Sequence, residues 1–261
     1  MNSHLMIRAS KHRLAGLAVV LAASMGLAQA AGATSVTRVY VVGVPPAQDH
    51  AFNEGVKAWE TCLRSHGAKR TTYAYDSETG DDTRYLFLVE FGSWGDMDAH
   101  DPAGKACAAL FRTQVQVHVT QVFSEIAVPN DKDSYMPGGD PDPAPMIWVD
   151  AYRIKPGQGD AFSDGLGKFA AAAAKTRWNA HFAGYDVEGG GQGAENFVLV
   201  WPNKNWADIG QDPSPSVKDM MNSVYGAAGA QSMHQAFLAT IAEHWEDAWS
   251  YDKDLSVIPG K

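Results

Sequence analysis

Cysteine is nearly absent from this 261-residue chain, which carries only Cys62 and Cys107. Two thiols leave no zinc motif and no haem-attachment pair. Basic residues are also scarce: 21 Lys and Arg stand against 30 Asp and Glu, a formal charge of −9. Such a surface repels phosphate backbones and argues against nucleic acid as a partner. The serine elbow of acyl-transfer enzymes is missing. The glycine run from Gly189 to Gly193 lies between two strand-like segments, not before a helix, so it lacks the context for cradling phosphate. No metal centre is expected. The short acidic stretch Asp96-x-Asp98-x-His100-Asp101 reads as helix-start acidity that complements a helix dipole.

A long membrane span is lacking too. The apolar run from Leu14 to Leu27 falls short of the roughly 20 residues a bilayer needs. It follows Arg8, Lys11 and Arg13 and precedes Ala28-Gln29-Ala30, the small-x-small site of a cleaved signal segment. Residues 1–30 are therefore expected to be removed near Ala30, giving a periplasmic or secreted protein without membrane insertion. Cleavage would leave 18 basic and 30 acidic residues, a charge of −12. In an oxidising compartment the Cys62/Cys107 pair invites a disulfide, and two buried free thiols are the alternative.

What is present is a long repeat. Pro46-x-Gln48-x-x-Ala51-Phe52-x-x-Gly55 returns as Pro156-x-Gln158-x-x-Ala161-Phe162-x-x-Gly165, and Tyr75-Asp76-x-Glu78-x-Gly80 returns as Tyr185-Asp186-x-Glu188-x-Gly190. Trp94 answers Trp206, Asp101-Pro102 answers Asp212-Pro213, and Asp131-Lys132-Asp133 answers Asp252-Lys253-Asp254. A period of this length signals two copies of one small domain. Apolar positions at three- and four-residue steps predict a helix over 48–65, and β-rich alternation predicts strands at 37–44, 69–75, 84–91 and 122–128. Each Asp-Pro pair is expected to open a helix, with aspartate as cap and proline in the first turn. The second copy repeats the order, with its second helix interrupted near Gly226–Gly229. The expectation is α+β: two tandem βαββαβ repeats, residues 35–128 and 146–257, joined by a Pro/Gly/Asp linker over 129–145. Each sheet would cover its helices on one face and pack against its twin on the other.

This element order, doubled in one chain, resembles the dimeric α/β-barrel (ferredoxin-like) superfamily. The resemblance implies an intrachain barrel in which the two sheets close on each other. The superfamily includes cofactor-free monooxygenases, haem-binding enzymes, lactone isomerases and proteins without known chemistry, so fold leaves the activity open.

Residues found in both copies are expected to serve the architecture. Trp94 and Trp206 then read as core plugs, and the Tyr-Asp-x-Glu carboxylates as solvated edges. Residues found in one copy are freer to form a site. These cluster in the second half, Trp178, Asn179, His181 and His244, with Tyr185 and Trp201 near them in the element order. They are the candidate ligand-binding set, and no catalytic residue is assigned. The leading expectation is a binding protein for a small apolar or aromatic molecule, without a cofactor. One alternative is an oxidoreductase, either cofactor-free or haem-dependent, with His181 or His244 as base or axial ligand. Another is a structural or assembly module. Homo-oligomerisation stays open.

Overall fold

The structure, a computed structural model, describes residues 35–139 and 143–260. The expected signal segment lies wholly outside the described residues, as do residues 140–142 of the expected linker.

The first half runs β1 (Val36–Gly43), α1 (Asp49–Ser65), β2 (Thr72–Ser77), β3 (Arg84–Phe91), α2 (Pro102–Leu110) and β4 (Gln121–Pro129). The second runs β5 (Met146–Ile154), α3 (Gly159–Thr176), β6 (Ala183–Glu188), β7 (Phe197–Asn203), the short α4 (Trp206–Ile209), α5 (Val217–Thr240) and β8 (Ile241–Val257). All eight strands join into one closed antiparallel barrel in the order β1-β3-β2-β8-β5-β7-β6-β4. Two seams knit the halves together. At one, β2 pairs with β8, Tyr75 opposite Tyr251; at the other, β4 pairs with β6, Val128 opposite Asp186. The sheets therefore do more than face one another: their edge strands are hydrogen-bonded, which leaves no unpaired edge in the barrel.

Strand alternation sorts the side chains. On β1, Val39 and Val41 point into the barrel while Tyr40 and Val42 face the helices. On β3, Leu86 and Leu88 turn inward and Phe87 and Val89 outward. The helices cover the outside. Phe52 of α1 and Phe162 of α3 are each 1% exposed and anchor their helices in separate cores. The repeated glycine three residues later has a steric reason. A Cβ on Gly55 would meet the Gln114 carbonyl oxygen at 1.8 Å, and one on Gly165 would meet the Phe237 ring at 2.9 Å. Both glycines let a neighbouring helical segment approach closely.

Cys62 on α1 and Cys107 on α2 form a disulfide with a Cα–Cα distance of 5.9 Å. Asp101 caps α2 as expected, its side chain accepting from the Ala103 N–H with Pro102 in the first turn. Asp212-Pro213 does not open its helix. That helix starts at Val217, where Ser216 accepts from the Asp219 N–H, and Pro213 and Pro215 lie in the preceding loop. The interruption at Gly226 is present, with φ 73° and ψ 155° inside α5.

Two further expectations are corrected. Trp94 and Trp206 are 47% and 48% exposed, so neither plugs a core. Each sits one residue after a capping side chain, Ser93 or Asn205, at the start of a short helical turn held on the surface. The Asp-Lys-Asp tails also diverge. Asp131–Asp133 forms a single 3-10 turn after β4, whereas Asp252–Asp254 lies within the 17-residue β8.

Candidate functional site

The outer faces of the two half-sheets differ. In the first half a cavity of about 570 Å³ lies between the sheet and the helices. Its walls are Phe52, Val56, Trp59 and Leu63 from α1, Gly104 and Ala108 from α2, Phe111 and Val115 beyond α2, and Tyr40, Val42, Phe87 and Val89 from the strands. Arg70, Thr72, Asp101 and Gln116 supply the few polar groups. Trp59 packs on Phe111 with ring centroids 5.0 Å apart. Its indole N–H is buried and has no acceptor among the described residues. Arg70 lies 4.6 Å over the Phe91 ring and donates to the Asp96 carbonyl at 3.0 Å, so its guanidinium is held in place.

In the second half the same space is packed with rings. Trp178 is 2% exposed, and its indole N–H donates to the Pro215 carbonyl at 2.7 Å. Phe169 stacks on Phe182 at 4.8 Å, and Trp201 lies 5.1 Å from Phe182 and 6.3 Å from Trp178. The six sequence-selected residues do not gather in one place. Trp178 and Trp201 meet in this packed core. Tyr185 lines the barrel interior instead. Asn179 and His181 are exposed, with His181 edge-on to Tyr135 at 5.7 Å. His244 is exposed on β8 and stacks on Tyr152 at 4.6 Å.

His244 belongs to a polar cluster on the helix-facing side of β5 and β8. Asp150 is directly opposite Glu246 in the strand register. The Asp150 carboxylate accepts from the Trp201 indole at 2.6 Å and from His244 Nε2 at 3.0 Å. Burial and the neighbouring Asp150 carboxylate raise the Glu246 carboxyl above its usual range, while Trp148 and His244 pull the other way. Possible ligand atoms of Asp150, His244 and Glu246 lie within 4.8 Å of one another. The other such group, Cys62, His66 and Cys107, has both sulfurs in the disulfide. The repeated Tyr-Asp pair is not a plain solvated edge. Burial, then Asp252 and Asp49, push Asp76 up to about 6, and Asp186 accepts from Asn130 at 2.9 Å.

The barrel interior holds a second cavity of about 520 Å³, lined from all eight strands. Of the six sequence-selected residues, only Tyr185 lines either cavity, and none lines the one under α1. The first is walled in part by Ala68, Thr72 and Val89, residues whose only signal is being small.

No protein-family model and no curated protein matches this chain. Solved structures do. A proposed monooxygenase from Lactobacillus acidophilus NCFM aligns over 87% of this chain and 97% of its own, with TM-score 0.52 and 8% identity. An anthrone oxidase-like protein aligns over 87% and 94%, with TM-score 0.52 and 10% identity. A mutant chlorite dismutase from Candidatus Nitrospira defluvii aligns over 85% and 92%, with TM-score 0.51 and 9% identity. Identities this low speak for fold alone, here a closed eight-stranded antiparallel barrel with helices on its outside. No helix among the described residues is long and apolar enough to cross a membrane.

The lining of the first-half cavity contains no histidine, cysteine or methionine to hold a haem iron, and the Tyr40 phenol is its one side chain of a kind that ligates haem. The histidine nearest the equivalent face of the second half, His244, is engaged with Asp150 beside a ring-filled core.

Proposed function

We propose that this chain is an exported binding protein built as a tandem duplication of a ferredoxin-like unit. Its ligand, a small apolar or aromatic molecule, is taken up between α1, α2 and the first half-sheet. The cavity of about 570 Å³ beneath α1 carries this reading. Its size is within the range of small-molecule sites, and its lining is aromatic and aliphatic with a few polar groups at fixed places. The unpartnered Trp59 indole N–H offers a donor to a carbonyl or hydroxyl oxygen on the ligand, and such a group has most to gain from a partner when buried. Export rests on residues 1–30 and agrees with the single disulfide.

Fluorescence titration with N-phenyl-1-naphthylamine tests the site. Binding with a blue shift is expected for the unaltered protein and should be lost in Ala68→Trp, which fills the cavity. Thr72→Phe approaches the same space from the strand side and guards against one variant misfolding. Absence of binding, or binding that both variants retain, defeats the assignment.

A second reading is oxidation of an activated phenol or anthrone without a cofactor. The Asp150–His244 pair favours it, because a carboxylate that orients an imidazole makes a competent proton acceptor. Two structural neighbours, the proposed monooxygenase and the anthrone oxidase-like protein, point the same way. Oxygen uptake with anthrone, abolished by His244→Ala, would support this chemistry. If neither ligand retention nor oxygen uptake is found, the assembly-module reading gains.

A further inference from the structure

The barrel interior has a charge composition that its packing role does not require. Five carboxylates line it, Asp81, Glu90, Glu125, Glu195 and Asp247, against a single base, Arg84. That base is already committed: its guanidinium pairs with Asp247 at 2.9 Å and lies 5.2 Å over the Trp249 ring. Glu125 is 5% exposed, and the Glu195 carboxyl of the β6–β7 hairpin lines the same interior and acts on it. Its Oε2 has no hydrogen-bond partner, and neither glutamate forms an ion pair among the described residues. Burial first and the Glu195 charge second push the Glu125 carboxyl up to about 8. Two facing carboxyls in a buried site cannot both ionise without a counter-charge. Glutamine or an aliphatic side chain would serve packing better.

The rest of the lining suits an organic cation. Phe123, Trp245 and Trp249 line the same space. Arg84 and Arg153 already lie 5.2 and 5.5 Å over the two indoles, which leaves Phe123 as the ring without a cation, and ring faces attract ammonium groups. The volume, about 520 Å³, is that of a small-molecule site. We propose that the barrel interior is a second binding site, taking a small amine on an aromatic or aliphatic body, with Glu125 and Glu195 receiving the ammonium. The site is separate from the cavity under α1, which lies on the opposite face of the first half-sheet. It stands or falls independently of that reading.

Isothermal titration of the full chain at neutral pH tests this with three probes of one shape. These are phenethylamine, its neutral counterpart 2-phenylethanol, and the anion 3-phenylpropionate. Phenethylamine is expected to bind at least tenfold more tightly than 2-phenylethanol, with no uptake of the anion. Glu125→Gln should remove the preference for the amine, and Glu195→Gln should weaken it. Val149→Phe, which fills the interior, should abolish the preference for the amine over the alcohol, whereas Ala68→Trp, which fills the other cavity, should leave that preference intact. Equal affinity for amine and alcohol, a preference surviving Glu125→Gln, or no amine binding at all would overturn the assignment. In that last case the two glutamates simply share a proton.

Discussion

The two halves keep one backbone plan and fill it differently. Where the second half places Trp178, Phe182 and Trp201, the corresponding positions of the first hold Ala68, Thr72 and Val89. The three large rings join one packed core, and the three small residues border a cavity. The anchors do not change: Phe52 and Phe162 are equally buried, and Gly55 and Gly165 both admit a close neighbour. The fold is thus held by a few repeated contacts, while the space beneath the helices is set by three side chains in each half. The first half also differs in what fastens its helices. It has the Cys62–Cys107 bridge, whereas the second has a 24-residue α5 packed through Phe237 against Phe162 at 5.0 Å.

The sharpest test of this contrast is truncation of one large ring in each half. Trp178→Ala empties a filled core and should cost about 3–5 kcal/mol in chemical denaturation. Trp59→Ala borders space that is already open and should cost less than half as much. Similar losses at both positions would mean that the two interiors are not differently packed.

Next in size is the bridge. The double substitution Cys62→Ala/Cys107→Ala releases a loop with a sequence separation of 45 residues and should lower stability by about 2–4 kcal/mol. Proteolysis under native conditions should then cut α1 and α2 before α3 and α5. Cleavage beginning in the second half would reverse the assignment of which half depends on its clamp.

The smallest effect concerns charge. Glu60 is a buried residue of α1, while its counterpart in the repeat is Ala170. Burial raises the Glu60 carboxyl to about 8 from 4.5, opposed by Arg64 at 3.0 Å and reinforced by Asp252. A carboxyl raised on folding lends stability that is full below about 4.5 and disappears as pH climbs towards 8. The melting temperature should therefore fall between pH 5 and pH 8, and Glu60→Gln should flatten part of that slope. Glu125, raised in the same direction, accounts for a further part. An unchanged slope in Glu60→Gln would assign the dependence to the other raised carboxyls, Asp76 and Glu125 among them.

Much of the architecture was legible because repeated anchors leave repeated letters. The Phe-x-x-Gly phrase marks a buried ring and a close approach, and both occur twice in the structure. Asp101-Pro102 announced α2, since cap and first-turn proline are local effects. Asp212-Pro213 misled, because a second proline and a better-placed Ser216 moved the start downstream. The site was harder to read. Large, distinctive residues peculiar to the second half drew attention, yet Trp178 and Trp201 occupy space that the first half leaves open. A cavity is bounded by what is small, and Ala68, Thr72 and Val89 carry no chemical mark in a sequence. Burial of Glu125 was equally hidden, since alternation on β4 places it inward only once the barrel is closed.

Both seams of the barrel lie within a single chain. A barrel assembled from two subunits comes apart on dilution and opens its lumen to water. Here a covalent tether fixes the local concentration of each half around the other, so the interior persists however dilute the protein becomes.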